Sequence, residues 1–256
     1  MDTNTYIDSI SLNTNTTIDI IIGEYCRDYN LTKKLYKKTE FNTTFGYEYN
    51  NKCIFTFSTN GKYNRLNFNG LKTYNTELDL FKETRLFILL DYITTEIKNI
   101  KFKIKKLDIC IDTVIDFNKL ILTRTNCKKR RKQHTGLNEY LFYIESNKST
   151  VMNGLLYNKT LKEFENNNFK MPYNVTRCEV VLRDKLKQCN DLDDLMSVLE
   201  IYKLYSFNTV STTTRNKRIL NNNGKIKHNT TTDELKFSRD VIKDFLYKLS
   251  LLNIGL

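Results

Sequence analysis

The chain has 256 residues, 40% hydrophobic and 12% aromatic, and carries a formal net charge of +12 from 41 Lys and Arg against 29 Asp and Glu. That length can bury a core in one large domain or two small ones, and such a positive excess accompanies polyanionic partners, nucleic acid first and an acidic membrane surface second. No apolar run reaches the ~20 residues of a spanning helix, and the polar start MDTNTYIDSISLNTNT does not read as a signal peptide, so no membrane partner and a cytoplasmic location are expected.

In chain order, YIDSISLN (6–13), IDIIIGEYC (18–26, also readable as a helix), KCIFTFST (52–59) and YNRLNFNG (63–70) read as short strands. Asn60-Gly61 and Asn69-Gly70 punctuate the last two as turns. Residues 76–99 place Leu78, Phe81, Leu86, Leu89, Leu90, Ile93 and Ile97 close to helical spacing, with Thr76 as N-cap. A strand around 105–116 follows, then a short helix near 117–122 and a basic loop, NCKKRRKQHTG. NEYLFYIES and GLLYNKT read as strands, LKEFENNNFKMPYN as a polar connection, and VTRCEVVLRD (175–184) as the last strong strand. Residues 191–208 and 233–253 read as helices around a Thr/Asn/Lys-rich linker, 211–232. The expected fold class is α+β: a mostly antiparallel central sheet with flanking helices and a small helical C-terminal part. Residues 1–186 are expected to form a catalytic domain and 187–256 a helical region.

Zinc chemistry finds no support. The six cysteines, Cys26, Cys53, Cys110, Cys127, Cys178 and Cys189, show no close ligand spacing, and His134 and His228 are the only histidines. A metal would need carboxylates, and oxygen ligands favour Mg²⁺, Mn²⁺ or Ca²⁺. Strand parity puts Asp108, Cys110 and Asp112 on one face and Leu107, Ile109 and Ile111 on the other. Two such aspartates either converge on a cation or sit on a solvated edge strand. Arg177, Glu179, Val181 and Arg183 share a face in the same way, as a metal ligand flanked by phosphate-binding arginines or as a cross-strand Arg–Glu pair. Tyr143 and Tyr157 fall on neighbouring strands, and tyrosine is either a nucleophile toward phosphorus or core packing. The basic run Lys128, Lys129, Arg130, Arg131 and Lys132 reads either as a solvated loop or, in so basic a chain, as a phosphate contact without sequence preference, and Arg215, Lys217, Arg218, Lys225 and Lys227 form a second such stretch.

Taken in order, four stretches resemble one family: the replication initiation factors of plasmids and filamentous phages, with related relaxases of conjugative elements that lack a histidine clamp. YIDSISL is similar to the family's opening strand, with Ser9 in place of an aromatic, and NRLNFNGLKTY to the strand ending in a Ser-Gly turn, with Asn69 for Ser. KLDICIDTVID resembles Arg-x-Asp-hydrophobic-x-x-Asp, with Lys106 for Arg. YIESNKSTVMNGLLYNK and TRCEVVLRD resemble the Tyr-hydrophobic-Gly-Ser-x-x-Ser, Tyr-x-Lys and Arg-x-Glu-x-x-hydrophobic-Arg series, with Glu145 for Gly.

The resemblance implies a rolling-circle replication initiator that nicks origin DNA, single-stranded at the nick, through a 5′-phosphotyrosyl intermediate. Carried over, Tyr157 is the first candidate nucleophile and Tyr143 the second, with Lys159 and Arg183 assisting. Asp108, Asp112 and Glu179 become ligands of Mg²⁺ or Mn²⁺, and Lys148 and Arg177 join the basic run as DNA contacts. A host helicase and a second copy of the chain are further candidate partners. A DNA-binding replication protein without nicking activity, or a metal-dependent nuclease using water, are the alternatives. No GxxxxGK[ST] loop is present, and none is needed, since no nucleotide is consumed.

Overall fold

The structure is a computed structural model that describes residues 3–72, 79–124, 130–132, 141–144, 151–207 and 232–256. Its strands are β1 (Thr3–Thr14), β2 (Thr32–Lys38), β3 (Thr43–Tyr49), β4 (Lys52–Thr59), β5 (Asn64–Asn69), β6 (Lys103–Thr113), β7 (Leu120–Arg124), β8 (Arg130–Lys132), β9 (Leu141–Ile144), β10 (Met152–Asn158), β11 (Thr176–Leu182), β12 (Tyr202–Phe207) and β13 (Thr232–Leu235). The helices are α1 (Asp19–Asp28), α2 (Asp79–Glu96), α3 (Lys159–Asn167), α4 (Leu192–Leu199) and α5 (Arg239–Ser250). This is the expected α+β class built on antiparallel sheet.

Contacts divide the chain into two units, one of residues 1–6 and 108–242, the other of 7–107 and 243–256. This division by contacts is a different partition from the expected one into 1–186 and 187–256. Strands β1 and β6 each contribute residues to both units, so a cut by sequence position alone could not find the boundary. The region 187–256 is also not purely helical, since it contains β12 and β13.

In the second unit the strands run in the order β2-β3-β4-β5-β1-β6. Asn50 and Asn51 both take positive φ, 48° and 60°, at the two-residue β3–β4 turn, where Tyr49 pairs with Lys52. Asparagine tolerates that left-handed geometry better than other side-chained residues, and it is what a twist-matched hairpin requires. Alternation then decides which face is core: Leu66 and Phe68 are buried on β5 while Arg65 and Asn69 between and beyond them are exposed. Tyr47 stacks on Phe55 at 4.7 Å and Phe55 on Phe68 at 5.3 Å. Helix α1 is the segment that reads equally as strand or helix, and its buried Ile22, Tyr25 and Cys26 follow helical spacing. Tyr25 meets Tyr92 of α2 edge-on at 5.7 Å, and Phe87 of α2 meets Phe245 of α5 at 5.5 Å.

In the first unit the order is β6-β11-β10-β9-β8, with a second sheet, β13-β12-β7. A Cβ on Gly154 would lie 2.6 Å from Tyr202 and 3.2 Å from Leu122, so the missing side chain lets the second sheet approach β10 closely here. Residues 161–167, the start of the segment expected as a polar connection, belong to helix α3, which the Asn158 side chain caps by accepting from the Leu161 amide at 3.0 Å. Residues 120–124 and 202–207 are strands where helix was expected: β12 pairs with β7 from Tyr202–Arg124 to Ser206–Leu120, a tertiary pairing that overrides local pattern.

Candidate active site

Tyr157 is the penultimate residue of β10, just before the helix cap, and its fixed place follows from both neighbours. It stands opposite Arg177 on β11, one row from the pair Leu155–Glu179. Directly opposed residues share a face, so Tyr157, Arg177 and Glu179 project to the same side. There the Tyr157 hydroxyl donates to Glu179 Oε2 at 3.1 Å, and Lys162 Nζ of α3 sits 4.1 Å from the Tyr157 ring centroid. A carboxylate at that distance can take a phenolic proton, and a cation over the ring favours the negative charge that results. Lys159 is buried and ion-paired with Glu163 one turn along α3.

The aspartates have a different role from the one the sequence suggests. Strand β6 has β1 and β11 as neighbours, so it is no edge strand, and Asp108 and Asp112 are 2% and 3% exposed. Asp112 receives both arms of the Arg177 guanidinium, Nε to Oδ1 at 2.6 Å and Nη2 to Oδ2 at 2.7 Å. Arg177 is 0% exposed. This fork-on-fork pair, sealed from water, is the compensation a buried carboxylate requires.

That geometry bears on the expected roles of these residues. Four residues apart on one strand face, Asp108 and Asp112 lie about 13 Å apart along β6, too far to converge on one ion, and both Asp112 oxygens are engaged. Among the described residues no three His, Cys, Asp or Glu side chains gather in one place. Arg177 points its fork at Asp112 instead of at solvent, so it is a core residue and not a DNA contact. Arg183 falls beyond the end of β11, where its amide donates to Val151 O at 3.0 Å.

The second tyrosine enters through register. Tyr143 on β9 pairs with Leu155, which pairs with Glu179, so these three positions form one row, and Arg131 on β8 extends it by pairing with Tyr143. Residues 130–132 form strand β8, paired with β9, where a loop was expected. Lys128, Lys129 and Lys148 lie outside the described residues, as do Thr76 and the second basic run. Sequence reasoning missed Lys162, for which the only signal is its helical spacing from Lys159, and Asn153. Asn153 is 2% exposed on the Tyr157 side of β10, and no described group hydrogen-bonds its Oδ1. Burial pushes the Cys178 thiol well above its ordinary value, with the charges of Glu179 and Asp112 adding to the effect.

No family model and no curated protein matches the chain. A solved structure of a rolling circle replication initiator protein from Geobacillus stearothermophilus is similar over 99% of this chain and 98% of that one, at 11% identity and a TM-score of 0.49. Among the described residues no helix is long and apolar enough to cross a membrane.

Proposed function

We propose that the protein initiates rolling-circle replication by nicking and rejoining one strand of origin DNA, with Tyr157 as nucleophile and Glu179 as the base that activates it. The observation that carries this reading is the Tyr157 Oη to Glu179 Oε2 hydrogen bond at 3.1 Å. It unites two motifs, YNK and TRCEVVLRD, whose order in the chain is that of the nicking family the sequence resembles. The +12 charge supports a polyanionic substrate.

In the forward step the phenol gives its proton to Glu179, the phenolate oxygen bonds to phosphorus, and the bond from phosphorus to the 3′ oxygen breaks. That oxygen takes up a proton and leaves as the 3′-OH that primes synthesis. The phosphotyrosine ester preserves the energy of the broken linkage, so attack by a 3′-OH rejoins a strand without a nucleotide. A phenol is protonated at neutral pH, so the step needs Glu179 to take the proton as the oxygen attacks, with the Lys162 cation over the ring favouring the charge that develops. Tyr157 is 3% exposed, so the scissile phosphate reaches its hydroxyl only after the surroundings of that hydroxyl open.

The test is a denaturant-resistant adduct between the full chain and labelled single-stranded DNA spanning the replicon's origin, run in parallel with Mg²⁺, with Mn²⁺ and with chelator. Wild type is expected to form the adduct, Tyr157→Phe to form none, and Glu179→Gln to form it about 10²–10⁴-fold more slowly. An adduct surviving Tyr157→Phe but lost in Tyr143→Phe transfers the role to Tyr143. Cleavage without adduct identifies water as the nucleophile. No cleavage at any origin sequence leaves a DNA-binding protein and overturns the reading.

A further inference from the structure

The sheet face of the second unit that turns away from the Tyr47–Phe55–Phe68 stack forms a groove of about 1100 Å³, above the ~300–1,000 Å³ of most small-ligand clefts. Its lining is chemically one-sided. Four cations, Arg65, Lys101, Lys103 and Lys105, and six asparagines contribute, and no Asp or Glu does. Among the described residues none of the four cations is ion-paired with a carboxylate. The lysines are exposed because β6 begins in strict alternation: Lys103 and Lys105 face out while Ile104 faces in.

The floor and rim are braced. Arg65 Nε donates to Asn13 Oδ1 at 2.9 Å across the β5–β1 register, and Asn67 donates to Thr56 Oγ1 at 3.1 Å. On the rim, Phe41 is 75% exposed at the β2–β3 turn, which Thr39 closes by bonding to Asn42. Tyr63 is 52% exposed at the β4–β5 turn, where Asn60 Oδ1 accepts from the Lys62 and Tyr63 amides. Two largely solvent-exposed rings stand on hydrogen-bonded turns at the rim.

We infer that this groove binds single-stranded nucleic acid, with Lys101, Lys103, Lys105 and Arg65 on the phosphates and Phe41 and Tyr63 against unpaired bases. Cations without counter-anions track a phosphate backbone, and aromatic faces take bases that are not already stacked in a duplex. Asparagine amides can pair with base edges. None of the groove residues belongs to the unit that carries Tyr157, so the site stands whether or not that tyrosine cuts DNA.

Fluorescence anisotropy of the full-length protein with labelled oligo(dT), titrated across a salt series, tests this directly. Lys103→Gln/Lys105→Gln is expected to weaken binding and to flatten the log K against log salt slope by about 1.4, at ~0.7 per lost single-strand phosphate contact. Phe41→Ala and Tyr63→Ala are each expected to cost roughly 5- to 150-fold at constant slope. A control pair of exposed lysines in the same unit, Lys52→Gln/Lys243→Gln, should leave both quantities unchanged. The proposal is overturned if the groove variants bind as wild type does, if the control pair weakens binding equally, or if a duplex of the same length binds more tightly with no effect of the two aromatics. Tyr157→Phe, which tests the nicking reading, is expected to bind oligo(dT) as wild type does, so the two ideas fail separately.

Discussion

One group of charges stands out in each unit, and the two groups are placed in opposite ways. In the unit that holds Tyr157, Arg177, Asp108, Asp112 and Lys159 are all at least nine-tenths buried. In the other, Lys101, Lys103, Lys105 and Arg65 stand in solvent without acidic partners among the described residues. Strand β6 passes from one regime to the other, alternating exposed and buried through Lys105 and then buried at every position from Leu107 to Thr113. Charge in the first setting fixes structure and side-chain aim, and charge in the second remains available to a partner.

The sharpest way to break that contrast is to remove one member of the buried pair. Arg177→Met leaves Asp112 desolvated and uncompensated, and is expected to cost about 3–5 kcal/mol in urea unfolding. Replacing both partners, Arg177→Met/Asp112→Leu, removes the stranded charge and should recover most of that loss. If the single variant unfolds like wild type, the pair is not sealed from water, and Arg177 returns as a candidate DNA contact.

Gly154 probes the same unit through packing. Its missing Cβ is what lets Tyr202 of the second sheet approach β10, so Gly154→Ala is expected to destabilise by about 1–3 kcal/mol through overpacking. A Gly154→Ala/Tyr202→Leu double variant should lose less than the sum of the singles, because the clash and its target are removed together. Additive losses would place the strain elsewhere.

The fold class was readable because strand alternation and helical spacing are local, and β5 and α2 report them plainly. The Asn158 cap was also present in the sequence, but a run of Asn, Lys and Glu obscured it. Register was not legible. Whether Asp112 meets a cation or Arg177 depends on which residues of β11 lie beside β6, and parity cannot supply that. Parity brought Asp108 and Asp112 to one face, while the rise along the strand keeps them apart. The Tyr157–Glu179 contact was half legible, as two motifs on separate strands whose adjacency only the β10–β11 pairing establishes.

The second unit has its own buried titratable groups, and these give it an alkaline weakness. Burial pushes Tyr25 from its ordinary value of 10.0 up to about 12, and Cys26 from 9.0 up to about 12. Both are neutral in folded and unfolded chains below pH 9, so the stabilisation is fully present there. Between pH 9 and 12 the unfolded chain gives up protons that the folded chain retains, so stability falls with rising pH and the contribution is gone above 12. Tyr25→Phe is expected to flatten the alkaline arm of stability against pH by up to about 1.4 kcal/mol per pH unit, one proton's worth. An unchanged slope would mean that Tyr25 ionises alike in both states.

The smallest effect is expected where charge is most conspicuous. Lys103→Gln/Lys105→Gln removes two exposed cations that have no carboxylate partner among the described residues, so unfolding should shift by no more than about 0.5 kcal/mol for each. The sign should favour stability, because the chain carries +12 and relieving self-repulsion helps the compact state. Raising the salt concentration should shrink the gain by screening the same repulsion. A large loss would reveal that these lysines support the sheet, and the groove would then be a structural surface. A near-neutral result beside the Arg177→Met loss would show that β6 uses its charges for two purposes only a few residues apart.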